Sequence, residues 1–194
     1  MNRLVYDFAV WVDGFQWSTM LHESYYMYNW IESTHVLALM VSLGMLFLID
    51  LRMLGFALPG VPATRVAERL AWPMAIGFTV MFATGLLLYF AIPVRTSQSL
   101  WFRIKVVLLV VAAVNAWLFH RRMKEAEGDW DTQPRAPLRL RVGAATSILV
   151  WILIVICGRL IAYDWFDCAK NPPEYIGSFF GTLSGCLADQ THFL

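Results

Sequence analysis

The chain has 194 residues, of which 59% are hydrophobic and 15% are charged, and its formal net charge is +1 at pH 7. A soluble domain is nearer half apolar and a quarter charged, so this composition excludes an ordinary soluble protein and favours one polytopic membrane domain. Because the charges nearly balance, no basic field supports binding to nucleic acid.

The first 30 residues are rich in aromatic side chains. Leu4, Phe8, Trp11 and Phe15 recur at steps of three and four residues, as they would on one face of a short helix. We expect residues 1–30 to form an extracytoplasmic segment. Its apolar face either lies in the membrane interface or packs as a cap on the rest of the protein.

Four apolar stretches follow, and each is long enough to cross a bilayer, which takes about 20 mostly apolar residues. The predicted spans cover about residues 31–51, 72–93, 100–120 and 142–163. Pro73 fits the first turn of the second span, and Pro93 marks its exit. The predicted fold class is all-α: a polytopic bundle of four transmembrane helices over residues 31–163, with N- and C-terminal extracytoplasmic segments.

Basic residues predict the orientation. Many of them follow the first and third spans: Arg52, Arg65, Arg69, Arg121, Arg122, Lys124, Arg135, Arg139 and Arg141. Because cytoplasmic loops carry an excess of lysine and arginine, we expect these linkers in the cytoplasm and both termini outside it. The expected location is a cell membrane, with the lipid bilayer as a partner.

The tail over residues 164–194 contains Cys168 and Cys186. On the extracytoplasmic side an oxidising compartment permits a disulfide between them, and two unpaired thiols are the alternative. Cys157 lies within the fourth span and is interpreted as a packing residue.

Polar side chains inside the spans are the candidate site residues. A titratable ring in a membrane span costs free energy and is a functional-site candidate by default, which singles out His35. Glu32 lies three residues earlier on the same helix face. At about 1.5 Å per residue, Lys105 of the third span and Arg159 of the fourth share the depth of His35. His120 lies about 20 Å or more away along the membrane normal and is interpreted as an interfacial residue.

These residues suit haem b, because an inward histidine in a helix bundle can serve as an axial ligand. His35 is the candidate ligand, and Lys105 is its candidate partner, since burial favours the neutral amine that can bind a metal. Arg159 and Arg103 are candidates for pairing with the haem propionates. The predicted cofactor-binding residues are therefore His35, Lys105, Arg159, Glu32 and Arg103, with His35 and Lys105 on the metal.

Other ligands and another cofactor stay open. Met40 or His22 is the alternative for the ligand opposite His35. Copper is the alternative cofactor, because thioether and imidazole groups suit copper(I). The candidate copper ligands are Met20, His22, Met27, Met40 and Met45.

A purely structural interpretation is the alternative to both cofactors. His35 then forms a hydrogen bond with Glu32 or with a neighbouring span and holds the helices together. A pair between Glu32 and Arg159 would neutralise two charges inside the membrane. Asp50 is expected to pair with one of three arginines: Arg52, Arg65 or Arg69.

Several segments resemble an uncharacterised family of small bacterial inner-membrane proteins. The pattern E-x-x-H, a glycine nine residues later and D-L-R-x-L-G is found here at Glu32, His35, Gly44, Asp50, Leu51, Arg52, Leu54 and Gly55. The later segments FRIKVVLL, NAWLFH and GRLIAY also fit, so the likeness covers about residues 28–165. This resemblance implies no established activity.

More remotely, the layout is similar to HemJ-type protoporphyrinogen oxidase and to copper-resistance D-type membrane proteins. In the HemJ type a histidine of the first span and a lysine early in the third are tied to haem and activity. The resemblance therefore implies those roles for His35 and Lys105. The stretch after Gly44 runs to D-L-R instead of that family's proline-arginine-leucine ending, so the oxidase activity is not carried over.

The leading hypothesis from the sequence is a protein that binds one b-type haem and serves electron transfer, with other membrane subunits or a quinone as partners. One alternative is a copper-handling or small-solute membrane protein without haem. The other is a structural membrane subunit with no cofactor. The sequence assigns no catalytic residue.

Overall fold

The structure, a computed structural model, describes residues 2–125, 129–163, 168 and 178–186. These residues form α-helices, with one short 3₁₀ helix at Asp129–Thr132, and no strand occurs among them. The helices are α1 (Asn2–Asp13), α2 (Gln16–Glu23), α3 (Tyr25–Leu54), α4 (Ala63–Ala91), α5 (Pro93–Ser97), α6 (Leu100–Glu125), α7 (Leu138–Tyr163) and α8 (Phe179–Ser184). The prediction of an all-α fold is confirmed.

Within the described part of the chain, four helices are long and apolar enough to span a membrane. The spanning parts are Tyr26–Leu54, Ala63–Ala91, Leu100–Met123 and Leu138–Tyr163. Each extends past the predicted span at one end or both. Large apolar side chains such as Leu37, Val107 and Leu149 are exposed on these helices, as expected for surfaces that contact lipid. The prediction of four transmembrane helices is therefore confirmed.

The start of α4 differs from the prediction. Pro73 lies inside the helix and not in its first turn, because α4 already begins at Ala63. The backbone N–H of Thr64 donates to Oδ1 of Asp131 at 2.8 Å, and the Thr64 hydroxyl donates to the other carboxylate oxygen. A carboxylate at this position satisfies free N–H groups and complements the helix dipole. The helix can therefore start well before the proline, which membrane helices tolerate in their interior.

The chain divides into two compact units. The terminal unit comprises Met1–Ser33, Thr84–Val107 and Ile154–Leu194, and the loop unit comprises Thr34–Ala83 and Leu108–Leu153. Each of the four long helices contributes one part to each unit.

The loop unit has an apolar core near the end of α3. Its buried residues are Ile49, Met53, Ala63, Val66, Trp130, Ala136, Leu140 and Ala144. They come from α3, α4, α7 and the 3₁₀ region before α7, so this core joins a linker to three helices. The backbone N–H of Ala136 also donates to the carbonyl of Met53 at 3.2 Å.

Helices α3 and α4 approach closely at Ser42 and Gly77. Ser42 is fully buried, and its hydroxyl donates to the carbonyl of Ala38 at 2.7 Å. A Cβ on Gly77 would overlap the Ser42 hydroxyl oxygen. The helices can therefore pack here because residue 77 has no side chain. In contrast, nothing lies within 4 Å of the Cβ position of Gly44 on α3.

We expect Gly77→Leu to lower the free energy of unfolding by about 1–3 kcal/mol, because the added side chain must push α3 and α4 apart. Gly44→Leu is the matched control, since leucine there meets open space and is a better helix former than glycine by roughly 0.5–1 kcal/mol. The midpoint of thermal unfolding in detergent measures both. Equal midpoints for the two variants would contradict the close contact.

In the terminal unit, α1 packs against α5 and buries Ala9 and Val12. Its other face exposes Leu4, Phe8 and Trp11, with Leu4 74% exposed. The first segment is thus a packed helix that also carries an exposed apolar face.

The predicted disulfide between Cys168 and Cys186 is present, with Cα atoms 5.5 Å apart. Helix α8 precedes Cys186, and the hydroxyl of Ser178 caps it by accepting from the backbone N–H of Gly181 at 3.1 Å. The rest of the predicted tail over residues 164–194 lies outside the described residues.

Candidate functional site

The ring of His35 is bound to the neighbouring helix. His35 is half-buried on α3, and its Nδ1 lies 2.9 Å from the backbone carbonyl oxygen of Met81 on α4. A carbonyl can only accept, so Nδ1 carries the proton of this hydrogen bond and donates it. The bond fixes the ring direction and makes Nε2 the nitrogen through which a metal would bind. The structural interpretation expected His35 to bond with Glu32 or with a neighbouring span. The hydrogen bond to Met81 is with a neighbouring span, α4.

Lys105 lies on α6 in the terminal unit and is half-buried. Its Nζ is 3.4 Å from the position that a Cβ of Gly158 on α7 would occupy. Lys105 and Cys157 are also close enough to interact electrostatically. Among the described residues, no carboxylate forms an ion pair with Lys105. The amine therefore lies beside a glycine and a thiol, in space that a larger side chain at position 158 would restrict.

Arg159 is exposed on α7 and interacts with its own helix. Its Nη2 donates to the hydroxyl of Tyr163 at 3.2 Å, and its Cζ lies 5.0 Å from the centre of that ring. Glu32 is exposed on α3 and interacts electrostatically with Tyr28. An ion pair between Glu32 and Arg159 is not among the contacts of the described residues.

Arg103 is engaged by protein groups of the terminal unit. Its Nε donates to the carbonyl of Ser97 at 3.1 Å, and its Nη1 donates to Oδ1 of Asn2 at 3.0 Å. The side-chain amide of Asn2 donates in turn to the carbonyl of Thr182 at 2.9 Å. The guanidinium also fills the space that a Cβ of Gly185 would take. Arg103 therefore joins α1, the end of α5 and the end of α8.

The expected pairing of Asp50 with an arginine is wrong. Asp50 is 3% exposed on α3 and accepts a hydrogen bond from Ser147 on α7. Its Oδ2 atom is buried with no hydrogen-bond partner among the residues that the structure describes. Arg52, two residues after Asp50 in the same motif, donates its hydrogen bonds to backbone carbonyls and not to Asp50.

Arg52 is 1% exposed and donates to four backbone carbonyls, an arrangement that we call the Arg52 clasp. The acceptors and distances are Val61 at 2.7 Å from Nε, Asp131 at 3.2 Å and Gln133 at 3.1 Å from Nη2, and Pro134 at 3.4 Å from Nη1. A guanidinium has five N–H donors in a fixed plane, so it can satisfy several carbonyls at once. The clasp ties the end of α3 to both linkers of the loop unit.

Gly55 completes the D-L-R-x-L-G motif by ending α3. It has a φ of 85°, a left-handed conformation that favours glycine. Its N–H donates to the carbonyl of Arg52 at 3.1 Å, and the N–H of Phe56 donates to that of Leu51 at 2.9 Å. These two bonds form a Schellman C-cap. The motif is thus accounted for by helix termination and linker attachment.

The candidate copper ligands are mostly on the surface. Met20, His22, Met27 and Met40 are exposed. Among the described residues, no group of three or more His, Cys, Asp or Glu side chains could hold a metal ion. Such a group would be a protein-only site, and haem iron needs only one or two protein ligands, so this finding does not test haem binding.

The sequence matches a model of a protein family over residues 20–164, which include all four membrane-spanning helices. The chain belongs to DUF6644, a family of unknown function. Neither the curated proteins nor the solved structures contain a match. The predicted resemblance to an uncharacterised family is therefore confirmed by the family match. The remoter likeness to HemJ-type oxidases and copper-resistance D-type proteins is not among the matches and stays a hypothesis.

For this DUF6644 protein, sequence reasoning identified His35 and Lys105 but missed what surrounds them. His35 contacts a backbone carbonyl, and every residue has one, so Met81 carries no recognisable signal. Gly158 was visible in the GRLIAY segment as a glycine inside a span, a feature that often marks close packing. That signal could have placed α7 against the side chain of Lys105.

Proposed function

We propose that this protein is a bacterial inner-membrane protein that binds one b-type haem and serves electron transfer, with His35 as an axial ligand. The observation that supports this most is the 2.9 Å hydrogen bond from Nδ1 of His35 to the carbonyl of Met81. Histidine ligands of metals typically donate their second ring N–H to a carbonyl or carboxylate, which orients the ring and raises the basicity of the ligating nitrogen.

The donor chemistry of His35 fits the iron of haem. When bound, the haem would supply one-electron redox chemistry. The protein's own contribution is then to hold the imidazole in one tautomer with Nε2 as the ligating atom.

The second ligand in this proposal is Lys105, a choice that rests on the sequence. Its half-buried amine lies beside Gly158 and has no carboxylate partner among the described residues. A lysine binds iron through its neutral amine, because the protonated form has no lone pair. Arg159, whose hydrogen bond and cation–π contact are both with Tyr163 of its own helix, is the better propionate partner of the two arginines.

The proposal also includes the location. The excess of lysine and arginine in the linkers after the first and third spans supports a cytoplasmic position for them. Both termini would then be extracytoplasmic, where the Cys168–Cys186 disulfide is stable. Electron transfer needs a donor and an acceptor, for which a membrane quinone and a second membrane subunit are the proposed classes.

The test is the absorbance spectrum of the full-length protein purified in mild detergent from haem-sufficient cells. We expect a Soret band in the wild type and a loss of bound haem of at least about tenfold in His35→Ala. His120→Ala is the matched control, because His120 is exposed on α6 and should leave the band unchanged. No band in the wild type, or an undiminished band in His35→Ala, would contradict the proposal.

The same hydrogen bond favours one second candidate, a structural subunit in which His35 only joins α3 to α4. The variant His35→Asn distinguishes the haem proposal from the structural one, because an asparagine amide can donate to a nearby carbonyl but binds iron poorly. A structural role predicts a change in unfolding free energy of about 0.5–1.5 kcal/mol or less and no haem in any variant. The haem proposal predicts that His35→Asn loses the Soret band.

A further inference from the structure

One carboxylate oxygen inside the loop unit has no hydrogen-bond partner. Asp50 is 3% exposed, and its Oδ2 atom is buried without a partner among the residues that the structure describes. The hydrogen bond from Ser147 on α7 therefore reaches the other oxygen, Oδ1. Asp50 lies four residues before the end of the membrane-spanning part of α3, which is about 6 Å along the helix. The orphaned oxygen is thus inside the span.

No basic side chain compensates this carboxylate in the described part of the chain. Arg52 directs its donors to the four backbone carbonyls of the clasp. The first two turns of α4 and α7 contain further charged residues: Arg65, Glu68, Arg69, Arg139 and Arg141. The electrostatic environment of Asp50 contains the Ser147 hydroxyl and none of these charged groups. Because an unpaired buried charge is strongly unfavourable in a membrane span, the compensating charge must come from solution.

Further oxygen groups lie along the same face of α7. Ser147 is 8% exposed and lies one turn after Gly143. The carbonyl of Gly143 accepts from the side-chain amide of Asn115 on α6 at 3.0 Å. The oxygen of that amide lies 3.9 Å from the position that a Cβ of Gly143 would occupy. Polar groups of α3 and α6 therefore contact α7 within about one turn of each other.

The chemistry of these groups selects the charge and the hardness of a ligand. A single carboxylate is neutralised by one positive charge, whereas a divalent cation would leave a positive charge buried. Carboxylate, hydroxyl and amide oxygens are hard ligands, which suit hard cations better than copper(I). The proton and the sodium ion are the small, hard, monovalent cations that are available on both sides of a cell membrane.

We propose that Asp50 and Ser147 form a buried binding site for one small monovalent cation, a proton or a sodium ion. The cation supplies the charge that Oδ2 of Asp50 lacks, and the Ser147 hydroxyl oxygen is its second neighbour. Acidic groups that hold a cation inside a span mark the ion pathways of pumps and transporters. The site is 15 positions from His35, about 22 Å along α3, so it does not depend on the haem proposal.

The experiment measures thermal unfolding of the full-length protein in mild detergent, with choline chloride as the background salt. If sodium is the ligand, replacing choline by saturating sodium at about pH 8 should raise the unfolding midpoint by about 5 °C. If the proton is the ligand, sodium should have no effect. Lowering the pH from about 8 to about 6 should then raise the midpoint by about 3 °C, because the neutral carboxyl stabilises the fold and that stability is lost as the pH rises.

Two variants assign the response to this site. Asp50→Asn removes the charge and retains the shape, so it should abolish the response and unfold no earlier than the wild type without sodium at about pH 8. Glu68→Gln is the matched control, since Glu68 is an exposed carboxylate of the loop unit and its loss should leave the response intact. A wild type that responds to neither cation, or a full response in Asp50→Asn, would overturn the proposal.

Ser147→Ala tests the same site with the carboxylate in place, which matters if Asp50→Asn does not fold. Loss of the hydroxyl should change the sodium concentration or the pH at which half of the response is reached, by about threefold or more in cation concentration. Identical half-points in Ser147→Ala, Glu68→Gln and the wild type would show that the cation does not bind beside Ser147 and would overturn the proposal.

Discussion

Replacing Arg52 by leucine is expected to lower the free energy of unfolding by about 3–5 kcal/mol. For a protein of this length, that change corresponds to a fall of about 10 °C in the midpoint of thermal unfolding. The reason lies in the four carbonyl groups of the Arg52 clasp, which lose their donors together when the guanidinium is removed.

The size of the effect follows from what leucine leaves behind. Exchanging a buried ion pair for apolar residues can be neutral, because both charged partners disappear together. Here the acceptors are backbone carbonyls, which no side-chain substitution removes. Each carbonyl that stays buried without a donor costs about 1–3 kcal/mol, and relaxation of the linker recovers part of the sum. The linker over residues 131–134 should therefore detach from the end of α3 before the spans separate.

Two further variants make the measurement specific. Arg52→Lys retains the positive charge but replaces a planar fork by a point charge with three donors, so it should recover only part of the stability. Arg65→Leu is the matched control, because Arg65 is exposed in the first turns of α4 and its loss should cost less than about 0.5 kcal/mol. An unfolding midpoint of Arg52→Leu equal to that of Arg65→Leu would show that the clasp contributes nothing.

Much of the fold was predictable, because a membrane span is defined by its own composition. Each of the four spans has enough consecutive apolar residues to identify it without knowledge of its neighbours. The disulfide was equally accessible, since the tail contains just two cysteines and a predicted extracytoplasmic position. These features depend on local sequence and on the environment, not on tertiary partners.

The wrong prediction for Pro73 shows where helix ends cannot be predicted from adjacent residues. The residues before the proline include charged ones, which favour a linker, yet α4 begins at Ala63. In its first turn, the N–H and the hydroxyl of Thr64 donate to the carboxylate of Asp131, which is 67 positions further along the chain. No rule on helix ends that considers adjacent residues could find that cap.

The candidate site was predictable in its most unusual residue but not in its contacts. A histidine inside an apolar span stands out by chemistry, and His35 was identified for that reason. The partner of its Nδ1 is a main-chain oxygen, and so are all four acceptors of Arg52. The rule that opposite charges pair therefore suggested Asp50 as the partner of Arg52, where the fold uses four carbonyls.

Gly185→Ala is expected to destabilise the terminal unit by about 2–3 kcal/mol. Gly185 has a φ of 85° and ends α8, and the N–H of Cys186 bonds to the carbonyl of Gly181 across it. A Cβ there would also overlap the guanidinium of Arg103. Both the backbone conformation and the contact therefore oppose any side chain.

The loss should be local, because Arg103 joins the end of α8 to Asn2 and Ser97, which belong to the same unit. Hydrogen exchange of α1 and α8 should accelerate, with little change in the middle of α3. Gly60→Ala is the matched control, since nothing lies within 4 Å of its Cβ position. Unchanged exchange in Gly185→Ala would contradict the contact.

A double-mutant cycle with Arg103→Met separates the two causes. Without the guanidinium, Gly185→Ala should cost only the left-handed conformation, roughly 1–2 kcal/mol, so the two substitutions should couple by about 1 kcal/mol. The cycle also decides between two roles of Arg103. If coupling is present and Arg103→Met retains bound haem, the arginine is a junction of the terminal unit. Absent coupling, combined with loss of haem, would make it a propionate partner as the sequence suggested.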